Sequence, residues 1–259
     1  MRNQIVDILK DAGKIIANRI YTKKEIDSKS TDVDLVTEVD RQVELFLKEK
    51  LSKLLPGSKF LSEETDSELK EAEKLWVMDP IDGTLNFVHG FPMVCISLAL
   101  HENGIPMHGY VYNPMINYLF EAQRGNGSKL NGRSVHVSKS KKLKECLFST
   151  GFPYDYPTNP NNNLRYFDHF NRRIQGVRRP GSAALDMAFT ASGTFDGFWE
   201  WHLKPWDVAA GILLIEEAGG LVTNFEGKPY KFTDNNIVAG NPAIHELMLK
   251  ELEKLIITN

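Results

Sequence analysis

Residues 75–84 read Leu-Trp-Val-Met-Asp-Pro-Ile-Asp-Gly-Thr and are the most informative segment of the chain. Its first four residues are apolar and bulky, which predicts a buried β-strand. Because Pro80 has no N–H group, we expect the strand to end there in a turn. Asp79 and Asp82 would then converge on one point, and Gly83-Thr84 would offer backbone N–H groups to an anion such as phosphate.

The regions on either side of this stretch predict a mixture of helices and strands. Two amphipathic helices precede it, one from Gln4 to about Tyr21 and one that ends at Pro56-Gly57. Hairpin-linked strands follow it, with Asn103-Gly104 and Asn131-Gly132 as turn signals. A block of helices followed by hairpins is typical of an α+β arrangement.

A second region with a different pattern begins near Cys146. Helices, the first of them predicted at Leu164–Gln175, alternate there with short strands. We therefore predict an N-terminal α+β lobe of residues 1–145 and a C-terminal α/β lobe of residues 146–259. The Pro-, Asn- and Tyr-rich stretch Gly151–Asn163 is the predicted boundary loop between them.

Composition gives no support for nucleic acid or a membrane as a partner. The 259 residues carry a formal net charge of -3, with acidic and basic side chains interspersed. No apolar run approaches the roughly 20 residues that span a bilayer. Residues 1–10 carry charges where a secretory signal has an apolar core. With Cys95 and Cys146 expected as reduced structural thiols, these features predict a cytoplasmic protein.

Three acidic residues outside the opening stretch lie next to predicted elements. Glu63 follows a short strand, whereas Asp40 and Asp207 lie at predicted helix starts. Each has an ordinary explanation when taken alone, because Asp is a common helix N-cap and a glutamate in a loop is commonly solvated.

Taken together, the carboxylates predict a metal site. Side chains of Asp and Glu that converge on one site repel one another unless cations are present. Mg²⁺ prefers such oxygen ligands, and the seven histidines and two cysteines show no spacing typical of zinc. Carboxylates, Mg²⁺ and an anion-binding turn together predict metal-assisted transfer of a phosphoryl group to water.

Two long motifs carry a resemblance to a known family. Residues 76–89 read Trp-Val-Met-Asp-Pro-Ile-Asp-Gly-Thr-Leu-Asn-Phe-Val-His, and residues 206–215 read Trp-Asp-Val-Ala-Ala-Gly-Ile-Leu-Leu-Ile, followed by Gly219-Gly220. Asp34–Thr37 and Gly181–Ala184 match further elements in the same order. The chain thereby resembles the inositol monophosphatase family of magnesium-dependent, lithium-sensitive sugar phosphatases. The resemblance implies an α+β fold, the layered αβαβα sandwich of the inositol monophosphatase and fructose-1,6-bisphosphatase type, and a homodimer.

The same resemblance implies the metal ligands. Glu63, Asp79 and the carbonyl of Ile81 are expected to bind a first Mg²⁺. Asp79, Asp82 and Asp207 are expected to bind a second. A third, weaker ion near Glu63 would bring the number to two or three Mg²⁺ per subunit.

The resemblance also implies the catalytic and phosphate-binding residues. Thr84 and Asp40 resemble the dyad that orients and deprotonates the attacking water, and Glu63 is expected to contribute to catalysis through the first metal. Gly83 and Thr84 are expected to bind the phosphate through their N–H groups. No covalent intermediate is required.

Residues that match substrate-contacting positions of the family are Asp82, Gly181, Ser182, Ala183 and Glu200. Lys204 occupies the place of a histidine in animal members, so the sequence leaves open a pocket for a second phosphate. Arg178-Arg179 could bind a substrate anion, although we favour a role at a subunit contact.

The expected activity is hydrolysis of inositol 1-phosphate and related sugar-alcohol phosphates. The enzymatic alternative is a broader phosphatase that acts on fructose 1,6-bisphosphate or NADP. The alternative of another class is a regulatory binding protein, because some bacterial members of the family associate with transcription or RNA-processing machinery.

Overall fold

The computed structural model describes residues 1–23, 26–28, 35–65, 72–153, 159 and 162–256. Asp34 lies outside these residues, as do residues 154–158, 160 and 161 of the predicted boundary loop. The helices are α1 (Arg2–Arg19), α2 (Glu38–Leu54), α3 (Thr84–His89), α4 (Leu164–Asn171), α5 (Ala183–Ala191), α6 (Pro205–Glu217) and α7 (Pro242–Ile256). The strands are β1 (Ile26–Ser28), β2 (Leu35–Thr37), β3 (Lys59–Ser62), β4 (Lys74–Asp82), β5 (Cys95–Glu102), β6 (Ile105–Asn113), β7 (Tyr118–Gln123), β8 (Ser128–Leu130), β9 (Arg133–Val135), β10 (Leu147–Thr150), β11 (Gly176–Arg178), β12 (Gly197–Trp201), β13 (Leu221–Thr223) and β14 (Asn236–Gly240).

Most of these strands form two large sheets. The first has the order β3-β4-β5-β6-β7-β8-β9 and is antiparallel except for the parallel pair β3–β4. The second has the order β11-β10-β12-β14-β13, and β10 pairs in parallel with both of its neighbours. Strands β1 and β2 form a separate antiparallel pair.

The side chains of the two sheets alternate between three apolar layers. Trp76 and Met78 of β4 pack with α1 and α2, whereas Val77 faces the opposite side and packs with α5 and α6. Phe198 of β12 contacts the same α5–α6 layer, and its neighbour Trp199 packs with α4 and α7. The layers therefore follow the order αβαβα, which confirms the expected α+β sandwich.

Strand β4 extends past the point where we expected Pro80 to end it. Asp79 pairs with Ser97 of β5, whereas Asp82 pairs with Cys95, so three steps along β4 match two along β5. Strand β4 therefore has one residue more than β5 over this interval, which is a β-bulge. A bulge tolerates proline because it interrupts the ladder of backbone hydrogen bonds between the two strands. Residues three apart in a regular strand face opposite sides of the sheet, but the bulge returns Asp79 and Asp82 to the same side.

The start of α2 excludes the ordinary explanation of Asp40 as an N-cap. Thr37 is the N-cap, and its hydroxyl accepts a hydrogen bond from the Val39 N–H group at 3.2 Å. Asp40 lies at the third helical position, where its Oδ2 accepts from the Thr37 N–H at 2.9 Å and from the Thr37 hydroxyl at 2.5 Å. This reciprocal capping box fixes the Asp40 carboxylate at the end of the helix.

Two further expectations can be compared with the structure. The helix predicted at Leu164–Gln175 ends at Asn171, and Gly176–Arg178 forms β11, which pairs in parallel with β10. Cys95 and Cys146 are both buried and free, as expected.

Among the described helices, none is both long enough and apolar enough to cross a membrane.

Candidate active site

Asp82 at the end of β4 is held against the start of α5. Its Oδ2 accepts a hydrogen bond from the Ser182 hydroxyl at 2.6 Å and one from the Ala184 N–H group at 2.7 Å. Burial raises the pKa of this carboxyl, and the same two hydrogen bonds oppose the rise. Because both bonds use Oδ2, the other oxygen of Asp82 is left for a further partner.

The residues expected to contact substrate at the start of α5, namely Gly181, Ser182 and Ala183, lie near Asp82. Ser182 is the N-cap of α5, and its hydroxyl is committed to Asp82 and to the first turn of the helix. Gly181 precedes it with a positive φ of 86°, and Ala183 is the first helical residue. The structure thus assigns Ser182 a contact that orients Asp82.

Asp79 and Thr84 organise the bulge at the end of β4. The buried Asp79 accepts a hydrogen bond from the Ile81 N–H group through Oδ1 at 2.9 Å. The Thr84 hydroxyl lies 3.1 Å from the Ile81 carbonyl and 3.2 Å from Oδ1 of Asp40. Since a hydroxyl donates one hydrogen bond at a time, Thr84 can alternate between these two acceptors. The structure brings Thr84 and Asp40 into contact, although α2 and α3 are far apart in sequence.

Gly83 lies in the same turn and has little room for a side chain. Its φ is 95°, in the left-handed region that favours glycine. A Cβ atom at this position would lie 2.9 Å from the Met93 carbonyl oxygen and 3.1 Å from that of Gly181. Both neighbours are backbone atoms, so the turn requires glycine for its shape.

Asp207 lies in the first turn of α6. Its Oδ2 accepts a hydrogen bond from the Lys204 N–H group at 2.7 Å. Burial raises the pKa of Asp207 well above its ordinary value, and the charges of Asp82 and Glu63 raise it further, while Lys204 lowers it. Glu63, Asp82 and Asp207 therefore lie close enough to interact electrostatically, although they come from three separate segments.

Glu200 of β12 also interacts with this acidic group. Burial raises the pKa of Glu200 well above its ordinary value, the charges of Asp207 and Asp82 add to the rise, and Arg179 opposes it. A Cβ atom on Gly151 would lie 2.1 Å from Oε1 of Glu200, so a larger residue at position 151 would displace the Glu200 carboxylate. The structure thus places Glu200 in the same acidic region as the expected metal ligands.

Two basic residues lie near the acidic group. Arg179 is exposed, and its guanidinium lies 4.9 Å from the centre of the Phe152 ring, a cation–π contact. Lys204 is also exposed, at the N-cap of α6. Because their charges act on Glu200 and Asp207 respectively, both lie within electrostatic range of the site.

Three contributors to this site were not anticipated from the sequence. Asn86 donates through Nδ2 to the Met93 and Pro180 carbonyls, each at 2.8 Å, and joins α3 to the segment before α5. The Ser97 hydroxyl donates to a carbonyl in the first turn of α6 at 3.0 Å. Asp186 is buried within electrostatic range of Glu200 and Asp82, and its Oδ1 has no hydrogen-bond partner among the described residues. Asn86 lies within the first quoted motif, which was an available signal, whereas Ser97 and Asp186 offered none.

The donor set has the chemistry that Mg²⁺ requires. Among the described residues, no three His, Cys, Asp or Glu side chains already surround one point as in a formed metal centre. The expected ligands are nevertheless all oxygen donors, namely the carboxylates of Glu63, Asp79, Asp82 and Asp207 and the Ile81 carbonyl. A divalent cation would relieve the mutual repulsion that raises the pKa of Asp207. These residues therefore fit the expected Mg²⁺.

Known proteins resemble this chain over almost its whole length. The Inositol monophosphatase family matches residues 1–256. The chain is 38% identical to the Nus factor SuhB of Pseudomonas aeruginosa, over 98% of this chain and 96% of the relative. It is 34% identical to the fructose-1,6-bisphosphatase/inositol-1-monophosphatase of Thermotoga maritima, over 97% of this chain and 95% of the relative.

A solved structure of an IMPase/NADP phosphatase complexed with Mg²⁺ and phosphate has the same fold. Its TM-score is 0.84 at 31% identity, over 96% of this chain and 94% of that chain. With the family match and the layered fold, these similarities are sufficient to assign the family. The chain belongs to the inositol monophosphatase family, whose members are Mg²⁺-dependent phosphatases.

Proposed function

We propose that the protein hydrolyses inositol 1-phosphate and related sugar-alcohol phosphates by direct attack of water on phosphorus. The observation that carries this proposal is the contact of Thr84 with Asp40 beside the buried Asp79 and Asp82. A hydroxyl with its own carboxylate acceptor, next to a group of carboxylates, is the arrangement needed to deprotonate water. The products are the free alcohol and inorganic phosphate.

The proposed metal ligands are those that the family resemblance implied. One Mg²⁺ would be held by Glu63, Asp79 and the Ile81 carbonyl. A second would be held by Asp79, Asp82 and Asp207. A third, weaker ion near Glu63 is also part of the proposal. When bound, Mg²⁺ lowers the pKa of water and stabilises the negative charge that develops in the transition state.

Proton transfer follows from the two positions open to the Thr84 hydroxyl. When this hydroxyl donates to Oδ1 of Asp40, it can accept a proton from water as its own proton passes to Asp40. Asp40 is held for this role because its Oδ2 accepts two hydrogen bonds from Thr37. The same position of Thr84 leaves the Ile81 carbonyl available as a metal ligand, since that carbonyl is the alternative acceptor. The N–H groups of Gly83 and Thr84 are proposed to bind the phosphate.

Cys95 is unsuited to act as a covalent nucleophile. Burial raises the pKa of its thiol well above the ordinary value, and the charge of Asp82 raises it further. Because the thiolate is the reactive form, this environment keeps Cys95 inert. Direct attack by water therefore fits the site better than a covalent intermediate on Cys95.

Glu200 is proposed to bind the hydroxyl groups of the substrate alcohol. Glu200→Gln is expected to lower kcat/KM for inositol 1-phosphate about tenfold or more, because hydrogen bonds to charged groups contribute roughly 1.5–3 kcal/mol. The loss for p-nitrophenyl phosphate, which has no ring hydroxyls, should stay below about threefold, about 0.7 kcal/mol. Steady-state kinetics on both substrates provide the test, with the exposed Glu226→Gln as control. Equal losses of kcat/KM on the two substrates would show that Glu200 does not recognise the alcohol.

A second candidate activity is hydrolysis of substrates with more than one phosphate. Arg179 and Lys204 are exposed cations close to Glu200 and Asp207, and a second phosphate would be attracted to them. The Thermotoga maritima relative is named as a fructose-1,6-bisphosphatase as well as an inositol-1-monophosphatase. Fructose 1,6-bisphosphate and NADP are therefore the competing substrates.

Phosphate release from inositol 1-phosphate, fructose 1,6-bisphosphate and NADP tests the choice of substrate. We expect the highest kcat/KM on inositol 1-phosphate, loss of activity in EDTA and recovery when Mg²⁺ is returned. Equal rates on all three would contradict the inositol preference, and activity that persists in EDTA would contradict the metal assignment.

The Pseudomonas aeruginosa relative, a Nus factor, motivates the alternative of a regulatory binding protein. A folded protein that binds Mg²⁺ but hydrolyses none of the three phosphates would favour that alternative. A homodimer is also part of the proposal, and light scattering coupled to size exclusion measures it.

A further inference from the structure

Glu44 is a completely buried carboxylate on the inner face of α2. Its neighbours on that face are apolar, among them Val43, Leu47 and Leu51. Burying a carboxylate costs free energy unless its oxygens are well satisfied by hydrogen bonds or charges. The partners of Glu44 therefore indicate its role.

These partners come mainly from one short segment, residues 62–65. Oε1 of Glu44 accepts hydrogen bonds from the Ser62 hydroxyl at 3.1 Å and from the Thr65 hydroxyl. Oε2 accepts from the Glu64 N–H group at 3.0 Å. Lys48, one turn further along α2, lies 2.8 Å from Oε1 and supplies the compensating charge.

The three donors bracket Glu63. Ser62 is the last residue of β3, so the β-ladder to β4 ends immediately before Glu63. The Glu44 carboxylate contacts the residue before Glu63 and the two residues after it. A single buried side chain thus ties both flanks of Glu63 to α2 where the sheet no longer does.

We propose that Glu44 is a positioning residue that holds segment 62–65 so that the Glu63 carboxylate is preorganised to bind Mg²⁺. This inference rests on the proposed function, in which Glu63 is a ligand. Groups that orient a metal ligand reduce the ordering that binding itself would otherwise require. Glu44 does not touch substrate or metal, and it acts only through Glu63.

Glu44→Gln tests the inference directly. The amide replaces one acceptor oxygen by an NH₂ group, which cannot accept the hydrogen bonds aimed at it. Titration calorimetry of Mg²⁺ into the metal-stripped full-length protein should show a Kd raised about tenfold or more, since orienting partners typically contribute 10–100-fold. The matched control is Glu49→Gln on the same helix, an exposed residue paired with Lys53, which should keep the wild-type Kd. A folded Glu44→Gln variant with the wild-type Kd would overturn the inference.

A double-mutant cycle with Glu63→Gln separates positioning from general destabilisation. If Glu44 acts through Glu63, then Glu44→Gln should raise the Kd no further in a Glu63→Gln background. Additive losses would contradict action through Glu63. If Glu63→Gln alone leaves the Mg²⁺ Kd unchanged, Glu63 is not a metal ligand and the proposed function loses that assignment. If Glu63→Gln raises the Kd but Glu44→Gln does not, only the positioning role of Glu44 is refuted.

Thr65→Val offers a milder change if Glu44→Gln does not fold. It removes one of the three donors from segment 62–65 and leaves the buried carboxylate in place. The Mg²⁺ Kd should rise several-fold, and amide exchange at Glu64, measured without metal, should become faster. An unchanged Kd together with unchanged exchange would contradict the positioning role.

Discussion

Thr84→Ala is expected to lower kcat between about a hundredfold and ten thousandfold, the usual contribution of general acid–base catalysis. The variant removes the hydroxyl that lies 3.2 Å from Asp40 and 3.1 Å from the Ile81 carbonyl. It removes no carboxylate and no carbonyl from the proposed metal site. The Kd for Mg²⁺ should therefore change by less than about threefold, about 0.7 kcal/mol.

The measurement combines kcat at saturating Mg²⁺ with titration calorimetry of the metal. Thr84→Ser is the matched control, because it keeps the hydroxyl and should retain most of the turnover. A large rise in the Mg²⁺ Kd with little change in kcat would show that Thr84 supports the metal site and not the proton transfer.

Gly83→Ala is expected to lower kcat/KM by about a hundredfold, since a displacement of about 1 Å in a catalytic group has effects of that size. The added Cβ would lie 2.9 Å from the Met93 carbonyl oxygen and 3.1 Å from that of Gly181. Both oxygens accept hydrogen bonds from Nδ2 of Asn86, at 2.8 Å and 3.3 Å, so making room for the Cβ atom would disturb these bonds or displace the turn that carries Thr84. The positive φ of 95° adds about 1–2 kcal/mol of strain.

Gly57→Ala separates the two effects of Gly83→Ala, which are backbone strain and steric contact of the added Cβ atom. Gly57 also has a positive φ, 82°, but no atom lies within 4 Å of its added Cβ, and it follows α2 at a distance from the site. Both variants should lower Tm by a few degrees, as about 1–2 kcal/mol of strain predicts for a protein of this size. Only Gly83→Ala should lose activity in phosphate-release kinetics. Wild-type activity in Gly83→Ala would contradict the requirement for this turn.

Local patterns were sufficient to predict the elements that surround the site. A short strand was expected directly before Glu63, and β3 ends there at Ser62; a helix start was expected near Asp207, which lies in the first turn of α6. These elements show a run of β-type residues or an apolar periodicity, which local burial imposes on the sequence. The αβαβα order followed from the family resemblance, because periodicity alone predicts elements and not their layers.

The errors arise where pairing between distant residues decides the structure. Pro80 is compatible with a strand only because β5 accommodates the bulge between Asp79 and Asp82. The ordinary explanation of Asp40 taken alone, an N-cap, also came from its position near a helix start. The structure shows instead that Thr37 begins the helix and that Asp40 faces both Thr37 and Thr84.

The chemical groups available to the site can be read from the amino-acid sequence. Residues 75–84 provide two carboxylates, a glycine turn and a hydroxyl, and the motifs that surround them identify the family. Tertiary structure decided which of these groups meet. Thr84 of α3 contacts Asp40 of α2. Asp82 contacts Ser182, which lies 100 residues further along the chain. Glu44 accepts hydrogen bonds from the segment around Glu63. The physical reason is that periodicity records only the burial of each element, whereas these contacts depend on how α2, α5 and α6 pack against the first sheet.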